Sequence, residues 1–398
     1  KIMYVLTTIQ VIILTLGVVV FTSIILSIIR KYSIQFGFVA VPEHRSSHHK
    51  ITPNFGGVAF FIVLISSMLF LHKFQTTSTL VVLVAAFSAI FFIGIKDDVR
   101  DISPRAKAIG QCVAVGLLLT ISEFRIESLH GFLGITQVPL FIGLPLSLFL
   151  YISLINAYNL IDGIDGLAGI IGMVASTTFA VLFYQMAMPF YFGLSIAMSS
   201  ILFAFLGFNF SERKKIFMGD TGSLLVGIFL GMLVMKLLSV PAEATIGIGI
   251  SLVQLPILLL TVLIIPAFDV CRVTIIRYWQ KQPFFTADRN HMHHVLIDAG
   301  RSHKKASFTL GLVNIVMIGA MYLTLQAYGL VAAGFLLVAF LVWGALTLFI
   351  INKKISSKRM KVKVRYMLFK LVYFKRTAAP EKKLRFNKKL KLLRIFFF

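Results

Sequence analysis

Long runs of apolar residues follow one another along almost the whole chain, and they restrict its fold more than any other feature. A run of about 20 such residues can cross the hydrocarbon core of a bilayer as an α-helix. The 398-residue chain has 58% hydrophobic and 14% charged residues and a mean hydropathy of +0.91. This composition excludes a soluble globular protein and predicts an all-α polytopic membrane protein.

About eleven membrane-spanning helices are predicted from these runs. The ninth run is too long for one straight crossing, and we expect Pro256 and Pro266 to tilt or break it. Between the fourth and fifth runs, alternating apolar residues and two glycines are compatible with a small β-hairpin. The predicted spans are 3–29, 56–72, 78–96, 106–122, 139–158, 167–185, 190–208, 217–238, 245–276, 307–327 and 330–351.

The distribution of Lys and Arg predicts the orientation in the membrane. With the N-terminus outside, the outer segments contain four of the 39 basic residues and the cytosolic side contains the other 35. Such an asymmetry is typical of membrane topology, and it accounts for the net charge of +24 without a nucleic-acid partner. Odd-numbered helices then end in the cytosol. The four outer basic residues are Lys1, Lys73, Arg125 and Lys236.

Two parts of the chain differ in composition. Residues 1–352 are predicted to form the transmembrane catalytic domain, and residues 353–398 a basic cytosolic tail with 17 Lys or Arg and one acid, Glu381. The tail is predicted to lie on an anionic inner leaflet as an amphipathic helix. A disordered, solvated tail is the alternative. Cys112 and Cys271 are in or beside apolar runs, so no disulfide framework is expected.

Four polar clusters stand at the ends of apolar runs, and the predicted topology places all of them on the cytosolic face. Six of the 15 acidic residues fall in the first three clusters. Carboxylates near a membrane are costly to desolvate, so this concentration indicates a functional site. The predicted site loops are 31–57, 96–107, 156–166, 211–223 and 278–305.

The first cluster contains Asp97, Asp98 and Asp101. Adjacent carboxylates raise one another's proton affinity unless a cation offsets the repulsion. We interpret the cluster as a site that binds a metal ion or accepts a proton beside an anionic substrate. A solvated turn at the membrane boundary is the alternative.

The second cluster places Asn156, Asn159 and Asp162 at intervals of three residues, and Asp165 continues the series. Helical spacing puts these side chains along one side of a helix. Amide and carboxylate oxygens are ligands for hard cations such as Mg²⁺. The alternative is that one Asp caps the next helix.

The third cluster, 219–223, is rich in glycine and hydroxyl residues at the start of a predicted span. Unpaired amide groups at a helix N-terminus favour a phosphate, and Asp220 could hold a metal ion that bridges it. Phe217 could stack on a flat base. A simple N-cap is the alternative, and Lys214 and Lys215 are most simply positive-inside charges.

The fourth cluster contains His291, His293 and His294. Their spacing is not that of a helical zinc site, and no cysteine is nearby. We interpret these histidines as hydrogen-bonding groups for a pyrophosphate or a sugar. Scattered surface histidines are the alternative.

Taken in order, the four clusters resemble the signatures of the polyprenyl-phosphate N-acetylhexosamine-1-phosphate transferases, over residues from about 30 to 350. The resemblance implies a bacterial inner-membrane enzyme that moves a sugar 1-phosphate from a UDP-sugar to undecaprenyl phosphate and releases UMP. At position 101 the peptidoglycan branch of the family usually has Lys. This chain has Asp101, and in this respect it resembles the GlcNAc-1-phosphate branch.

The resemblance also implies roles for individual residues. Asp97, Asp98, Asp162 and Asp165 are the expected catalytic residues, with Asp97 or Asp98 as the proton-accepting base. Mg²⁺, or Mn²⁺ as a substitute, is the expected cofactor. The expected metal ligands are Asn159 and Asp220, and the expected substrate-binding residues are Lys50, Phe217, His291, His293 and His294. Asn209 is not assigned as a ligand, because the segment that follows it is a residue longer than in many relatives.

Several alternatives remain open at this point. The donor could instead carry QuiNAc, FucNAc or MurNAc-pentapeptide, and the transfer could proceed in one step or through a covalent Asp intermediate. An ion-coupled transporter is a different class of function that also uses membrane carboxylates. It is disfavoured because the polar clusters lie at one face rather than at mid-membrane. A homodimer is an expectation from the family alone.

Overall fold

The computed structural model of the chain describes residues 7–37, 39–40, 52–281 and 291–377. These residues are mainly helical, and two short antiparallel strand pairs complete the regular structure. The helices are α1 (Thr8–Gln35), α2 (Gly56–Phe70), α3 (Thr77–Val99), α4 (Pro104–Leu119), α5 (Leu140–Ile161), α6 (Leu167–Gln185), α7 (Pro189–Asn209), α8 (Gly219–Leu238), α9 (Leu255–Val262), α10 (Ile264–Trp279), α11 (Met292–Asp298) and α12 (His303–Thr377, with a break at Gly329). The strands are β1 (Val39–Ala40), β2 (Thr52–Pro53), β3 (Ser128–Phe132) and β4 (Ile135–Gln137).

Seven helices in the described part of the chain are long and apolar enough to cross a membrane. An eighth crossing is possible if the bent pair Ala242–Ile248 and Leu252–Val262 is one span. The protein is therefore a multi-pass membrane protein with a helical fold. The seven are α1, α3, α5, α6, α7, α8 and the His303–Ile355 part of α12.

The predicted ninth span is broken, as the prolines indicated. Helix α9 ends at Val262 and α10 begins at Ile264, whereas a separate bend of 76° lies earlier, between Ala242–Ile248 and Leu252–Val262. Pro256 is in the first turn of α9, and Pro266 is in the first turn of α10, which begins after Leu263. Proline fits the first turn of a helix because no backbone donor is required there.

The predicted hairpin is also present. Strands β3 and β4 pair antiparallel, and His130 of β3 hydrogen-bonds through Nε2 to the carbonyl oxygen of Leu238, 2.7 Å away. The hairpin thereby binds one of the carbonyl groups that the C-terminus of α8 leaves without a helical partner.

Helix α8 is the most buried of the candidate spans, and it packs against α2, α3 and α5. Small residues make the close packing at its N-terminal end possible. A Cβ atom on Gly57 of α2 would collide with the backbone of Gly222, and one on Gly94 of α3 would collide with the backbone of Thr221. The start of α8 is thus held between two neighbouring helices.

The chain divides into two compact units, Lys1–Trp343 and Gly344–Phe398. The first contains every residue of the site described below. In the second, the helix continues to Thr377. Residues 378–398, the last part of the predicted basic tail, lie outside the described residues.

Candidate active site

The third sequence cluster forms the first turn of α8, and backbone hydrogen bonds fix it to the start of α2. The amides of Gly56 and Gly57 donate to the carbonyl oxygens of Phe217 and Met218, both at 2.9 Å. Gly219 has a φ of +69°, and a Cβ atom there would collide with the carbonyl oxygen of Asn54 and approach both carboxylate oxygens of Asp98. Only glycine fits this position.

Asp98, at the end of α3, caps the N-terminus of α8. Its Oδ1 accepts a hydrogen bond from the amide of Asp220 (2.8 Å), and its Oδ2 accepts from the amide of Thr221 (2.9 Å) and the Thr221 hydroxyl (2.5 Å). These bonds satisfy amide groups that a helix leaves unpaired, so Asp98 positions the turn that carries Asp220.

Lys107 of α4 lies between the carboxylates of the first and third clusters. Its Nζ is 2.8 Å from Oδ2 of Asp97 and 3.0 Å from Oδ2 of Asp220. The other oxygen of Asp97 accepts a hydrogen bond from the amide of Ile102 at 3.0 Å. A single ammonium group therefore offsets the repulsion between two carboxylates from different helices.

The second cluster reaches the same place from the end of α5. Nδ2 of Asn159 donates to Oδ1 of Asp220 (2.5 Å) and to the hydroxyl of Ser223 (2.8 Å). Because both bonds use the amide nitrogen, the amide oxygen of Asn159 is the atom that could bind a cation. Asn156 faces elsewhere and exchanges amide hydrogen bonds with Gln111 of α4.

Asp162, the C-cap of α5, is held among other carboxylates. Burial raises its pKa well above the usual value, and the negative charges of Asp220, Asp98 and Asp165 raise this pKa further. A cation in the pocket would relieve this repulsion and stabilise the ionised form of Asp162.

Asp165 has the opposite environment. Lys215 contacts its Oδ2 at 2.6 Å, and Nδ1 of His303 is 3.3 Å away. Burial raises the pKa of Asp165, but the hydrogen bonds and charges of His303 and Lys215 outweigh burial and lower the pKa. The hydroxyl of Ser307 donates to the backbone carbonyl of Asp165 at 2.7 Å, which joins α12 to this loop.

These groups line one pocket of about 360 Å³. It lies at the C-terminal ends of α3 and α5 and the N-terminal end of α8, so these three helices present their ends on the same side of the molecule. Phe217 and Asn54 also line the pocket, together with all six aspartates of the first three clusters: Asp97, Asp98, Asp101, Asp162, Asp165 and Asp220.

The histidine cluster is anchored by a buried carboxylate on α10. Oδ2 of Asp269 is 2.7 Å from Nδ1 of His291, and Oδ1 accepts a hydrogen bond from the amide of Met292 at 2.7 Å. His293 is only 2% exposed, and neither of its ring nitrogens has a hydrogen-bond partner among the described residues. Burial, together with the charge of the neighbouring His294, lowers the pKa of His293 to about 3.

His293 lies directly beside the carboxylate pocket. A Cβ atom on Gly163, which lines that pocket, would collide with the His293 ring. The rings of His291 and His293 stack with their centroids 5.7 Å apart, and those of His293 and His294 are 4.3 Å apart. The fourth cluster thus joins the other three, and it brings two buried ring nitrogens of His293 that lack a hydrogen-bond partner among the described residues.

The structure brings together the predicted site residues that it describes. Asp97, Asp98, Asn159, Asp162, Asp165, Phe217 and Asp220 line the pocket, and the histidine cluster borders it at Gly163. Lys50 lies outside the described residues. Asn209, which was not assigned as a ligand, binds backbone instead. Its Oδ1 accepts from the amide of Gly166 (2.7 Å), and its Nδ2 donates to the carbonyl of Ile216 (2.9 Å).

Sequence reasoning did not identify three residues that shape the site: Lys215, Asp269 and His303. Lys215 was indistinguishable from basic residues that mark the cytosolic face, yet it forms an ion pair with a pocket aspartate. Lys107 is one of four basic residues near the first cluster in the sequence, and the structure selects it as the partner of Asp97. Asp269 had a usable signal, because it is an isolated acid inside an apolar run, which is itself an indication of function.

The residues of the pocket fit a hard divalent cation. Six aspartates surround it, whereas Lys107 and Lys215 are the lysines that pair with them in the described part of the chain. The excess of oxygen atoms suits Mg²⁺ rather than a softer metal. Within the described ranges, no three acidic, histidine or cysteine side chains are already arranged around a common point. Lys107 and the cap formed by Asp98 use several of these oxygens.

The fold and the pocket define a multi-pass membrane protein whose site suits a cation and anionic ligands. Residues 80–238 match the sequence model of glycosyl transferase family 4. The chain is 30% identical over 294 residues to the "Probable undecaprenyl-phosphate N-acetylglucosaminyl 1-phosphate transferase" of Bacillus subtilis, covering 74% of this chain and 79% of the relative. The chain therefore belongs to this family of transferases.

Two further relatives have the same kind of name. The "Decaprenyl-phosphate N-acetylglucosaminephosphotransferase" of Mycolicibacterium smegmatis is 28% identical over 73% of this chain and 77% of its own. The "Undecaprenyl-phosphate alpha-N-acetylglucosaminyl 1-phosphate transferase" of Salmonella typhimurium is 28% identical over 76% and 81%, respectively. These matches confirm the family that the four sequence clusters indicated.

Proposed function

We propose that the protein transfers GlcNAc 1-phosphate from UDP-GlcNAc to undecaprenyl phosphate, which yields undecaprenyl-diphospho-GlcNAc and UMP and initiates a cell-envelope glycan. The observation that carries this proposal is the convergence of the separate aspartate motifs on one pocket. The names of the relatives from Bacillus and Salmonella support both the donor sugar and the acceptor lipid.

Mg²⁺ is the proposed cofactor, with Mn²⁺ as a substitute, and Asp220 and the amide oxygen of Asn159 are its proposed ligands. When bound, the ion would neutralise the diphosphate of the donor and make UMP a better leaving group. Asp162 supports this assignment, because its environment of carboxylates favours a cation nearby.

The two substrates are proposed to bind to different sets of residues. Phe217 stacks on the uracil, and His291, His293 and His294 hydrogen-bond the sugar-phosphate part of the donor. The unpaired ring nitrogens of His293 support this role. Lys50 is proposed to contact a phosphate.

Asp97 and Asp98 are proposed to serve the acceptor side of the reaction. Both oxygens of Asp98 are needed to cap the first turn of α8, whereas Oδ2 of Asp97 is paired with the side chain of Lys107, so we assign the proton-accepting role to Asp97. Its partner Lys107 is a flexible cation that can exchange one anionic partner for another. Asp97 accepts the proton of the lipid phosphate, and the phosphate oxygen attacks the sugar-linked phosphorus of the donor. A P–O bond to the lipid phosphate forms as the P–O bond to UMP breaks.

A covalent intermediate on an aspartate is the competing route. It predicts that labelled UMP exchanges into UDP-GlcNAc without any lipid acceptor, whereas direct displacement requires the acceptor for exchange. This isotope-exchange measurement separates the two routes.

We further propose eleven membrane crossings, with the N-terminus outside and the site and basic tail in the cytosol. The Lys and Arg asymmetry supports this topology. The helices α2, α4 and α9–α10 would supply three crossings beyond the seven long apolar helices, and the break at Gly329 would divide α12 into two crossings. A homodimer remains a prediction.

The test is UMP release by the purified full chain with undecaprenyl phosphate, Mg²⁺ and a panel of UDP-sugars. We expect UDP-GlcNAc to be the preferred donor over UDP-QuiNAc, UDP-FucNAc and UDP-MurNAc-pentapeptide. Release that requires UDP-MurNAc-pentapeptide, or no release with any donor, would contradict the proposal.

A further inference from the structure

A long apolar groove that the reaction does not use runs between α1, α6, α7 and α12. It consists of two adjoining cavities of about 920 and 790 Å³ that share five lining residues. We call the two cavities together the α1–α12 groove. The shared residues are Val19, Met173, Val174, Phe203 and Ile315.

The α1–α12 groove is long enough for a lipid chain. On α12 its lining extends from Phe308 to Tyr322, which is about 21 Å of helix at 1.5 Å per residue. The hydrocarbon of one leaflet is about 15 Å deep, half of the bilayer core. The groove therefore accommodates an acyl chain over the full depth of one leaflet.

One end of the groove is basic. Lys214 lines it, and Nζ of Lys304 is 5.6 Å from the ring centroid of Phe210, which also lines it. Arg30 of α1 donates through one guanidinium nitrogen to the carbonyl of Arg213 (2.7 Å), while its buried Nε has no hydrogen-bond partner among the described groups. Apolar walls below several cations are complementary to an anionic lipid.

The groove is separated from the carboxylate pocket by the Asp165–Gly166 segment. Asp165 lines the pocket, whereas the ring of Phe210, on the groove side, occupies the space where a Cβ of Gly166 would lie. A phosphate held near Lys214 is thus on the far side of this segment from Asp220. This separation favours a lipid that is not the substrate.

We propose that the α1–α12 groove binds one anionic phospholipid of the leaflet nearest the active site. The lipid phosphate is held by Arg30, Lys214 and Lys304, and an acyl chain fills the space between α12 and the pair α6–α7. Because His303 and Ser307 of α12 contact Asp165, the bound lipid also keeps this helix against the active-site loop. This inference does not depend on which sugar the enzyme transfers.

Glycines that face open space allow a sharp test. No described atom lies within 4 Å of a Cβ built on Gly207 or Gly319, both of which line the groove. Leucine at these helical positions fills the groove and raises helix propensity. Gly116 of α4 is the matched control, because it also has open space but does not line the groove.

The experiment is native mass spectrometry of the delipidated full chain titrated with phosphatidylglycerol or phosphatidylcholine. We expect one tightly bound phosphatidylglycerol in the wild type and in Gly116→Leu, and binding at least about tenfold weaker in Gly207→Leu and Gly319→Leu. The double variant Lys214→Gln/Lys304→Gln should lose about tenfold of the preference for phosphatidylglycerol over phosphatidylcholine.

Three outcomes would overturn the proposal. Equal binding in the Gly116 and Gly319 variants would show that the lipid lies elsewhere. Displacement of phosphatidylglycerol by undecaprenyl phosphate in the wild type, but not in Gly207→Leu, would assign the groove to the acceptor. A shift from dimer to monomer in Gly319→Leu without any lipid would assign it to a second copy of the chain. The absence of UMP release would not change the result of these lipid-binding measurements. The proposed transferase function and the proposed lipid site can therefore be disproved separately.

Discussion

Asp162 and Asp165 have the same side chain three residues apart, yet the structure gives them opposite electrostatic environments. Asp162 is surrounded by other carboxylates, which together with burial raise its pKa. Asp165 is paired with Lys215 and His303, which lower its pKa despite burial. The ionised form of Asp162 is therefore destabilised unless a cation binds nearby, whereas the ion pairs of Asp165 stabilise the folded loop.

This contrast predicts different effects of the two isosteric substitutions. Asp162→Asn removes a repelled charge, so it should raise the temperature of half-unfolding while it lowers UMP release about a hundredfold or more. Asp165→Asn should lower the unfolding temperature, because Lys215 loses its partner. Tryptophan-fluorescence melting and the UMP assay measure both quantities. Destabilisation of similar size in both variants would contradict this account of the pocket.

His293 predicts a pH dependence of stability. Burial lowers its pKa from 6.5 to about 3 in the folded protein, so the unfolded state binds a proton between these values and the folded state does not. His293 therefore does not lower the free energy of unfolding above pH 6.5, and it lowers this free energy progressively as the pH falls toward 3.

The corresponding measurement is the unfolding temperature at several pH values from about 7 to about 5. We expect His293→Gln to reduce the slope over this range. The exposed His72→Gln is the control and should retain the wild-type slope. An unchanged slope in His293→Gln would show that this histidine is not a source of acid lability.

At the scale of elements, the first turn of α8 is the part of the site that contacts the largest number of other helices. It receives Asp98 from α3, Lys107 from α4 and Asn159 from α5, and it binds the backbone of α2. The sequence predicted that these motifs meet, because the positive-inside rule places the ends of odd-numbered helices on one face.

The specific contacts could not be predicted from the sequence. Asp97 and Asp98 are adjacent, so no local pattern indicates that Asp98 caps a helix 122 residues later while Asp97 pairs with Lys107. That choice depends on how α3 is rotated against α8, and this rotation is set by packing at Gly94. For the same reason, the sequence could not distinguish Lys215 from a lysine that only marks the cytosolic side of the membrane.

The capping role predicts that Asp98 affects stability as well as activity. Asp98→Ala should cost about 1–2 kcal/mol, since a cap with several hydrogen bonds to α8 is lost. It should also abolish UMP release, because the turn that carries Asp220 is no longer fixed. Asp101→Ala is the matched control. It removes a carboxylate from the same pocket, but Asp101 is exposed and has no capping bond among the described contacts.

Equal destabilisation by Asp98→Ala and Asp101→Ala would contradict this assignment. In that case, the general charge of the pocket rather than the cap would govern stability.

For the molecule as a whole, the sequence predicted the helical membrane fold, the proline-broken ninth segment and the small hairpin. The number of crossings is not fixed by the same reasoning. Seven described helices meet the length and apolarity needed for a span. Helices α2 and α4 have 15 and 16 residues, shorter than the roughly 20 residues of a typical crossing.

The proposed topology can be tested with single cysteines in a chain whose Cys112 and Cys271 are replaced by Ser. Leu133→Cys, in the exposed β3–β4 hairpin, should react with a membrane-impermeant maleimide in intact spheroplasts. Lys305→Cys, beside the active-site loop, should react only after the membrane is opened. Labelling of both sites in intact cells, or of Lys305→Cys alone, would invert or exclude the proposed orientation.

Lys107 has a consequence for how the protein exists between turnovers. Without a counter-charge, the carboxylates of an acidic pocket would repel one another and destabilise the helix ends that carry them. Here a tethered ammonium already bridges Asp97 and Asp220, so the resting site carries its own counter-charge. The helix ends that carry these two aspartates are therefore held together without a bound cation.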